Sequence, residues 1–162
     1  MSFHPLPTRR SCAGSWVLSD AGCLKFNVDA ASLASFGEAG IGGILRYHYG
    51  KILIRFFKSI GISDLTGAEL VAIHEACQVF SLSPWFRRYD LLIESDSLLA
   101  VSWIKNPSCS PPCFTTLVTK CHRFFLNLDW KICFDYRERN GQNHLLTREG
   151  IGRITDLLEI SD

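Results

Sequence analysis

The chain has 162 residues, 47% of them hydrophobic and 20% charged, which is the size of one ordinary globular domain with enough apolar side chains to bury a core. Its 17 Lys and Arg are spread along the sequence and leave a formal net charge of +1, so charge alone announces neither a nucleic-acid nor a membrane partner. No stretch approaches the apolar length of a membrane-spanning helix, and the opening MSFHPLPTRR lacks the apolar centre of a signal peptide. The expectation is an intracellular protein without membrane contact, nucleus and cytoplasm being undistinguished.

Residues 1–21 contain Pro5, Pro7 and a Thr-Arg-Arg-Ser run and read as a leader or linker, which leaves 22–162 as the folded domain. Three strand-like segments follow: CLKFNVDAA from Cys23, EAGIGGILRYH from Glu38, and GKILIRFFKSIG from Gly50. Tyr49-Gly50 supplies a tight connection, so the three make an antiparallel meander. Gly40, Gly42 and Gly43 lack the third glycine of a dinucleotide fingerprint and lie in a strand; they mark a bulge or a close approach to the backbone.

From Asp64 to about Leu82 the apolar residues Ala68, Ala72, Ile73, Ala76, Val79 and Phe80 recur at helical spacing, with Asp64 as N-cap and Ser83-Pro84 as the stop. A buried strand, DLLIESD at 90–96, is followed by the short helix SLLAVSWIK, which Asn106-Pro107 ends. PSCSPP at 107–112 is a loop. An amphipathic helix over about 113–127, the strand WKICFDYR and a final helix from near Gly141 complete the chain. The order predicts a mixed α/β sheet covered by helices, with a parallel partner for the fourth strand.

The seven cysteines are odd in number and most lie in apolar segments, as Cys77 and Cys133 do, so they read as reduced core thiols. Cys109-x3-Cys113 with Cys121-His122 downstream is the one spacing to weigh for zinc, and it lacks the usual CxxC knuckle.

Three carboxylates raise a question of chemistry. Asp29, at the far end of the first strand, could be a turn former, a strand-end acceptor or one member of a charged site. Glu69 heads the apolar stripe of its helix and points at the sheet, where it could complement the helix dipole or meet a partner. Asp96 closes the fourth strand and opens a helix, so it could be an N-cap, a role open equally to Ser95 or Ser97. If the first and fourth strands are parallel neighbours, Asp29 and Asp96 lie at corresponding strand ends about 5 Å apart, with Glu69 in reach. Three convergent carboxylates repel one another unless cations intervene, which suits hard divalent ions, magnesium first.

The series FNVDAA, AGIGGILR, TGAELVAIHEAC, LLIESDSLLAVSWI and RERNGQNHLLTREG resembles, in order and spacing, the plant-type ribonuclease H-like domains related to the domain of non-LTR retroelement polyproteins, over about residues 22–153. The resemblance implies a five-stranded mixed sheet, three antiparallel strands then parallel ones, flanked by helices. It implies metal-dependent hydrolysis of the RNA strand of RNA/DNA hybrids, leaving a 5′-phosphate and a 3′-hydroxyl. Asp29, Glu69 and Asp96 match the family's metal ligands, for two Mg2+ or Mn2+ ions, in a chain expected to be a monomer.

The family's fourth acid has no match, because His144 stands where the aspartate of Arg-Glu-x-Asn-x-x-Ala-Asp is expected. His144 is open to three readings: a substitution in a noncatalytic copy, a weak ligand that favours a softer metal such as manganese, or an acid/base group near the scissile phosphate. Glu94, on the face of Asp96, reads as a supporting or substitute acid, or as a solvated or salt-bridged strand residue. Trp85-Phe86-Arg87-Arg88 could touch nucleic acid or pack its aromatics on the core. Gly40, Gly42 and Gly43 could let a sugar-phosphate chain approach, with recognition through backbone and 2′-hydroxyl contacts. The alternatives to an endoribonuclease are a noncatalytic nucleic-acid-binding module that lost its fourth acid, and a retroelement remnant without nucleic-acid affinity.

Overall fold

A computed structural model describes residues 22–32, 37–135 and 157–161. The elements are β1 (Cys23–Ser32), β2 (Gly37–Arg46), β3 (Ile52–Ser63), α1 (Leu65–Ser81), β4 (Asp90–Ser95), α2 (Leu98–Lys105), a 3-10 turn (Pro107–Cys109), α3 (Thr115–Leu128), β5 (Lys131–Phe134) and β6 (Leu157–Ile160). One mixed sheet has the order β5-β4-β1-β2-β3-β6. β1 runs antiparallel to β2 and parallel to β4, and β4 runs parallel to β5. The expected meander and the parallel fourth strand are both present.

Alternation in β1 divides the sheet into two faces. Leu24, Phe26, Val28 and Ala30 enter the core beneath α1 and α3, together with Ile41, Leu45, Ile54, Phe56, Leu91 and Ile93. Lys25, Asn27 and Asp29 occupy the other face, and all three are buried. Gly43 belongs to the helix-covered face, since it pairs with Val28 and Phe56. A Cβ there would sit 2.4 Å from Phe56 Cε2 and 2.8 Å from Phe26 Cε1. Gly43 therefore makes room for the edge-to-face Phe26–Phe56 pair, 5.8 Å between centroids. That corrects its assignment as an approach point for a sugar-phosphate chain.

The hairpin between β2 and β3 turns at Tyr47–Gly50, where Gly50 takes a φ of 94° and its N–H donates to Tyr47 O at 2.9 Å. Asp64 caps α1, accepting from Gly67 N at 2.9 Å. The helix stops at Ser81, ahead of Ser83, whose hydroxyl donates to Phe80 O. Among the described residues no helix is long and apolar enough to cross a membrane.

The expected five strands are six. β6 lies in the segment read as the closing helix, and it pairs antiparallel with β3 from Ile54↔Ile160 to Phe57↔Leu157. Four residues are too few for helical and strand periodicity to be told apart in sequence. What selects the strand is the outer edge of β3, whose backbone groups it pairs.

Candidate metal centre

Asp29, Glu69 and Asp96 converge. Each offers one carboxylate oxygen, and the three oxygens lie within 4.8 Å of one another; Asp29 and Glu69 are buried and Asp96 is half-buried. The convergence follows from the topology. The β1–β4 register ends at Val28↔Ser95, so Asp29, still inside β1, and Asp96, just past β4, are the next residues along where the parallel pairing stops. Glu69 comes from the buried side of α1, near its amino end.

Local contacts narrow the roles that were open for each acid. Ser97 caps α2, its Oγ accepting from Ala100 N at 3.2 Å, while Ser95 Oγ accepts from Ser97 N at 3.1 Å. Asp96 is therefore not the cap. Asp29 Oδ1 accepts from Ala30 N at 2.8 Å. The residue facing Asp29 in β2 is Gly42, so no side chain rises beside the carboxylate from that strand.

One pleat behind this row lies a second polar group that the sequence reading missed in part. Lys25 Nζ is 3.6 Å from Glu94 Oε2, both side chains being at most 2% exposed, and Asn27 Nδ2 donates to Glu94 Oε1 at 3.1 Å. Glu94 is thus a buried, salt-bridged residue, one of the roles expected for it; the solvated alternative is removed. Burial pushes its carboxyl up to about 7; Lys25 draws it down, Asp135 pushes it up, and Asn27 again lowers it. Burial outweighs the ion pair. Asp135, buried just beyond β5 with its N–H donating to Ser95 O at 2.8 Å, was also missed. The period-two spacing of Lys25, Asn27 and Asp29 was the signal available for the first two.

The other candidates fall elsewhere. Trp85 and Phe86 pack against the core, with Phe86 6.2 Å from Trp130, and Arg87 and Arg88 are exposed. Cys109 and Cys113 are exposed whereas Cys121 is buried, and His122 Nδ1 is bonded to Ile104 O at 2.7 Å, so the spacing weighed for zinc does not bring its members together. Among the described residues the carboxylate trio is the one group of three or more His, Cys, Asp or Glu within ligand range. The cysteines follow the reading as core residues in part: Cys77, Cys121 and Cys133 are buried, whereas Cys109 and Cys113 are on the surface. His144 lies outside the described residues.

The donor set fits a hard divalent cation. It is all oxygen, it is drawn from three elements, and it gathers negative charge in a space largely closed to water.

A mixed sheet in this strand order, flanked by helices and with carboxylates where the parallel pairing of β1 and β4 ends, is the ribonuclease H-like fold. Among curated proteins the chain is similar to one from Arabidopsis thaliana named "Putative ribonuclease H protein", 33% identical over 127 residues, 77% of this chain. The chain spans 20% of that protein's length. RNase H1 from the halophilic archaeon Halobacterium salinarum NRC-1 shares the fold at a TM-score of 0.71 and 21% identity, over 80% of this chain and 97% of that one. LC11-RNase H1 from compost, solved in complex with an RNA/DNA hybrid, gives 0.72 and 19%, over 79% and 96%. No family model matches the chain.

Proposed function

We propose that the protein is a metal-dependent endoribonuclease that hydrolyses the RNA strand of RNA/DNA hybrids. The observation that carries this reading is the meeting of Asp29, Glu69 and Asp96 within 4.8 Å on a ribonuclease H-like sheet. The hybrid seated on LC11-RNase H1, a protein of the same fold, supports the choice of substrate.

In this reading Asp29, Glu69 and Asp96 hold Mg2+ or Mn2+, two ions being the expected number. The ions when bound supply activation of a water and stabilisation of the leaving 3′-oxygen. The chain's own residues do the rest. Asp29, within β1, and Asp96, just past β4, stand where the pairing of these two adjacent strands ends, which fixes their spacing, and Glu69 closes the third side from α1. Gly42, which faces Asp29 from β2, has no side chain of its own to stand against the carboxylate. Recognition relies on phosphate and 2′-hydroxyl contacts and not on base sequence.

The test is cleavage of an end-labelled RNA/DNA hybrid in Mg2+ and in Mn2+ by the parent and by Asp29→Asn. Cutting by the parent and its loss in the variant supports the reading; normal hybrid binding with no cutting in either metal sinks the catalytic claim.

His144, standing where the resemblance calls for an aspartate, favours a second reading as a noncatalytic nucleic-acid-binding module. That reading expects His144→Asp to create or strongly raise cleavage with little change in hybrid affinity. A parent already as active as His144→Asp removes it.

A further inference from the structure

A buried ion pair is an expensive filling for a sheet interior. Lys25 and Glu94 are at most 2% exposed, and a well-packed apolar pair at such a place is often as stable or more so. The same strands show that apolar filling suits this sheet, because on the other face Leu24, Phe26, Val28, Leu91 and Ile93 do the equivalent work. Stability alone therefore does not account for Lys25, Asn27 and Glu94.

Their place does. Asn27 and Glu94 are register partners, and Asp29 and Asp96 stand two residues further along β1 and β4 on the same alternation, roughly 7 Å away. The contacts from Glu94 run to β1: one oxygen accepts from Asn27 at 3.1 Å and the other faces Lys25 at 3.6 Å. Directed contacts of this kind add to the backbone ladder between the two strands, and a polar network inside a closed space is stiffened by its low dielectric surroundings.

We propose that Lys25, Asn27 and Glu94 are positioning residues that hold Asp29 and Asp96 at metal-binding separation. This deepens the metal-dependent reading above and rests on it. The cluster acts through the strands, one row behind the ligands, and touches no substrate. Outer residues that orient ligands typically change metal affinity by about 10–100-fold when lost, which sets the effect to look for.

The experiment is calorimetric titration of the folded protein with Mn2+ alone, on the parent, Asp29→Asn, Lys25→Met/Glu94→Leu and Asn27→Val, with thermal unfolding measured for each. The expected result is a melting temperature in the double variant at or above the parent's, with Mn2+ binding about tenfold or more weaker. Asn27→Val is expected to weaken binding in the same direction by less. Parent-like Mn2+ affinity in the folded double variant overturns the proposal. If the double variant does not fold, Asn27→Val decides, and parent-like affinity there overturns it. The Asp29→Asn control separates the two failures: where Asp29→Asn binds Mn2+ as the parent does, the metal reading itself falls and the positioning role falls with it.

Discussion

Asn27 donates to Glu94 at 3.1 Å across the β1–β4 pair, one pleat behind the strand ends that carry Asp29 and Asp96. Polar residues thus run in two rows along one face of the sheet, the front row converging on a common point and the back row closed by an ion pair.

Glu94→Gln strips Lys25 of a carboxylate 3.6 Å away in a place closed to water. Breaking a buried pair from one side typically costs about 3–5 kcal/mol, whereas replacing both members by apolar residues is often neutral or stabilising. Urea unfolding of Glu94→Gln and of Lys25→Met/Glu94→Leu should therefore rank the single variant below the double. Equal loss in both would contradict this account of the pair.

The pH dependence has a definite sign. Glu94 titrates near 7 in the folded protein, raised chiefly by burial, against 4.5 for the ordinary group. Between those values the native state holds a proton that the unfolded chain has released. Stability from this group is fully present below about pH 4.5 and is lost as pH rises towards 7, at no more than about 1.4 kcal/mol per pH unit. Denaturant midpoints across that window, compared for the parent and Lys25→Met/Glu94→Leu, should show the slope in the parent and its disappearance in the variant.

On the helix-covered face, Gly43→Ala places a methyl group against the Phe26 and Phe56 rings, at separations no Cβ tolerates. Overpacking of this kind typically costs about 1–3 kcal/mol. The loss should appear in unfolding experiments with Mn2+ affinity unchanged, since neither ring belongs to the carboxylate face. An unaltered stability would mean that the rings move aside freely.

Ser97 and Asp96 were rival caps for α2, and their variants should separate cleanly. Ser97→Ala removes the acceptor of Ala100 N and should cost about 1 kcal/mol while the folded protein keeps its activity. Asp96→Asn removes a converging charge, so it should abolish cleavage without that loss of stability. Comparing melting temperature and hybrid cleavage in the two variants checks both statements. Cleavage retained in Asp96→Asn would take Asp96 out of the ligand set.

Much of this was legible in the sequence because the residues that shape the fold obey short-range rules. The Asp64 cap, the Ser83-Pro84 stop and the Tyr49-Gly50 turn each depend on a few neighbouring residues, and all stand where the sequence put them. The meeting of Asp29, Glu69 and Asp96 was legible one step further, since a parallel β1–β4 pair brings strand-end acids together. Lys25 was hidden because a lysine in a strand ordinarily signals solvent, and its partner lies 69 positions along the chain. β6 was hidden because four apolar-rich residues take their conformation from the edge they meet and not from their own pattern. Gly43 was misread because nothing local says which face of the strand two phenyl rings will occupy.

The central claim is that the three carboxylates form a working metal site for cutting hybrids. The most direct measurement is single-turnover cleavage of a labelled RNA/DNA hybrid, in Mg2+ and in Mn2+, by the parent and by Asp29→Asn, with hybrid binding measured in parallel. The account predicts products bearing 5′-phosphates from the parent, none from Asp29→Asn, and similar hybrid affinity in both. Hybrid bound but uncut by the parent in either metal, or cut equally well by Asp29→Asn, would contradict it.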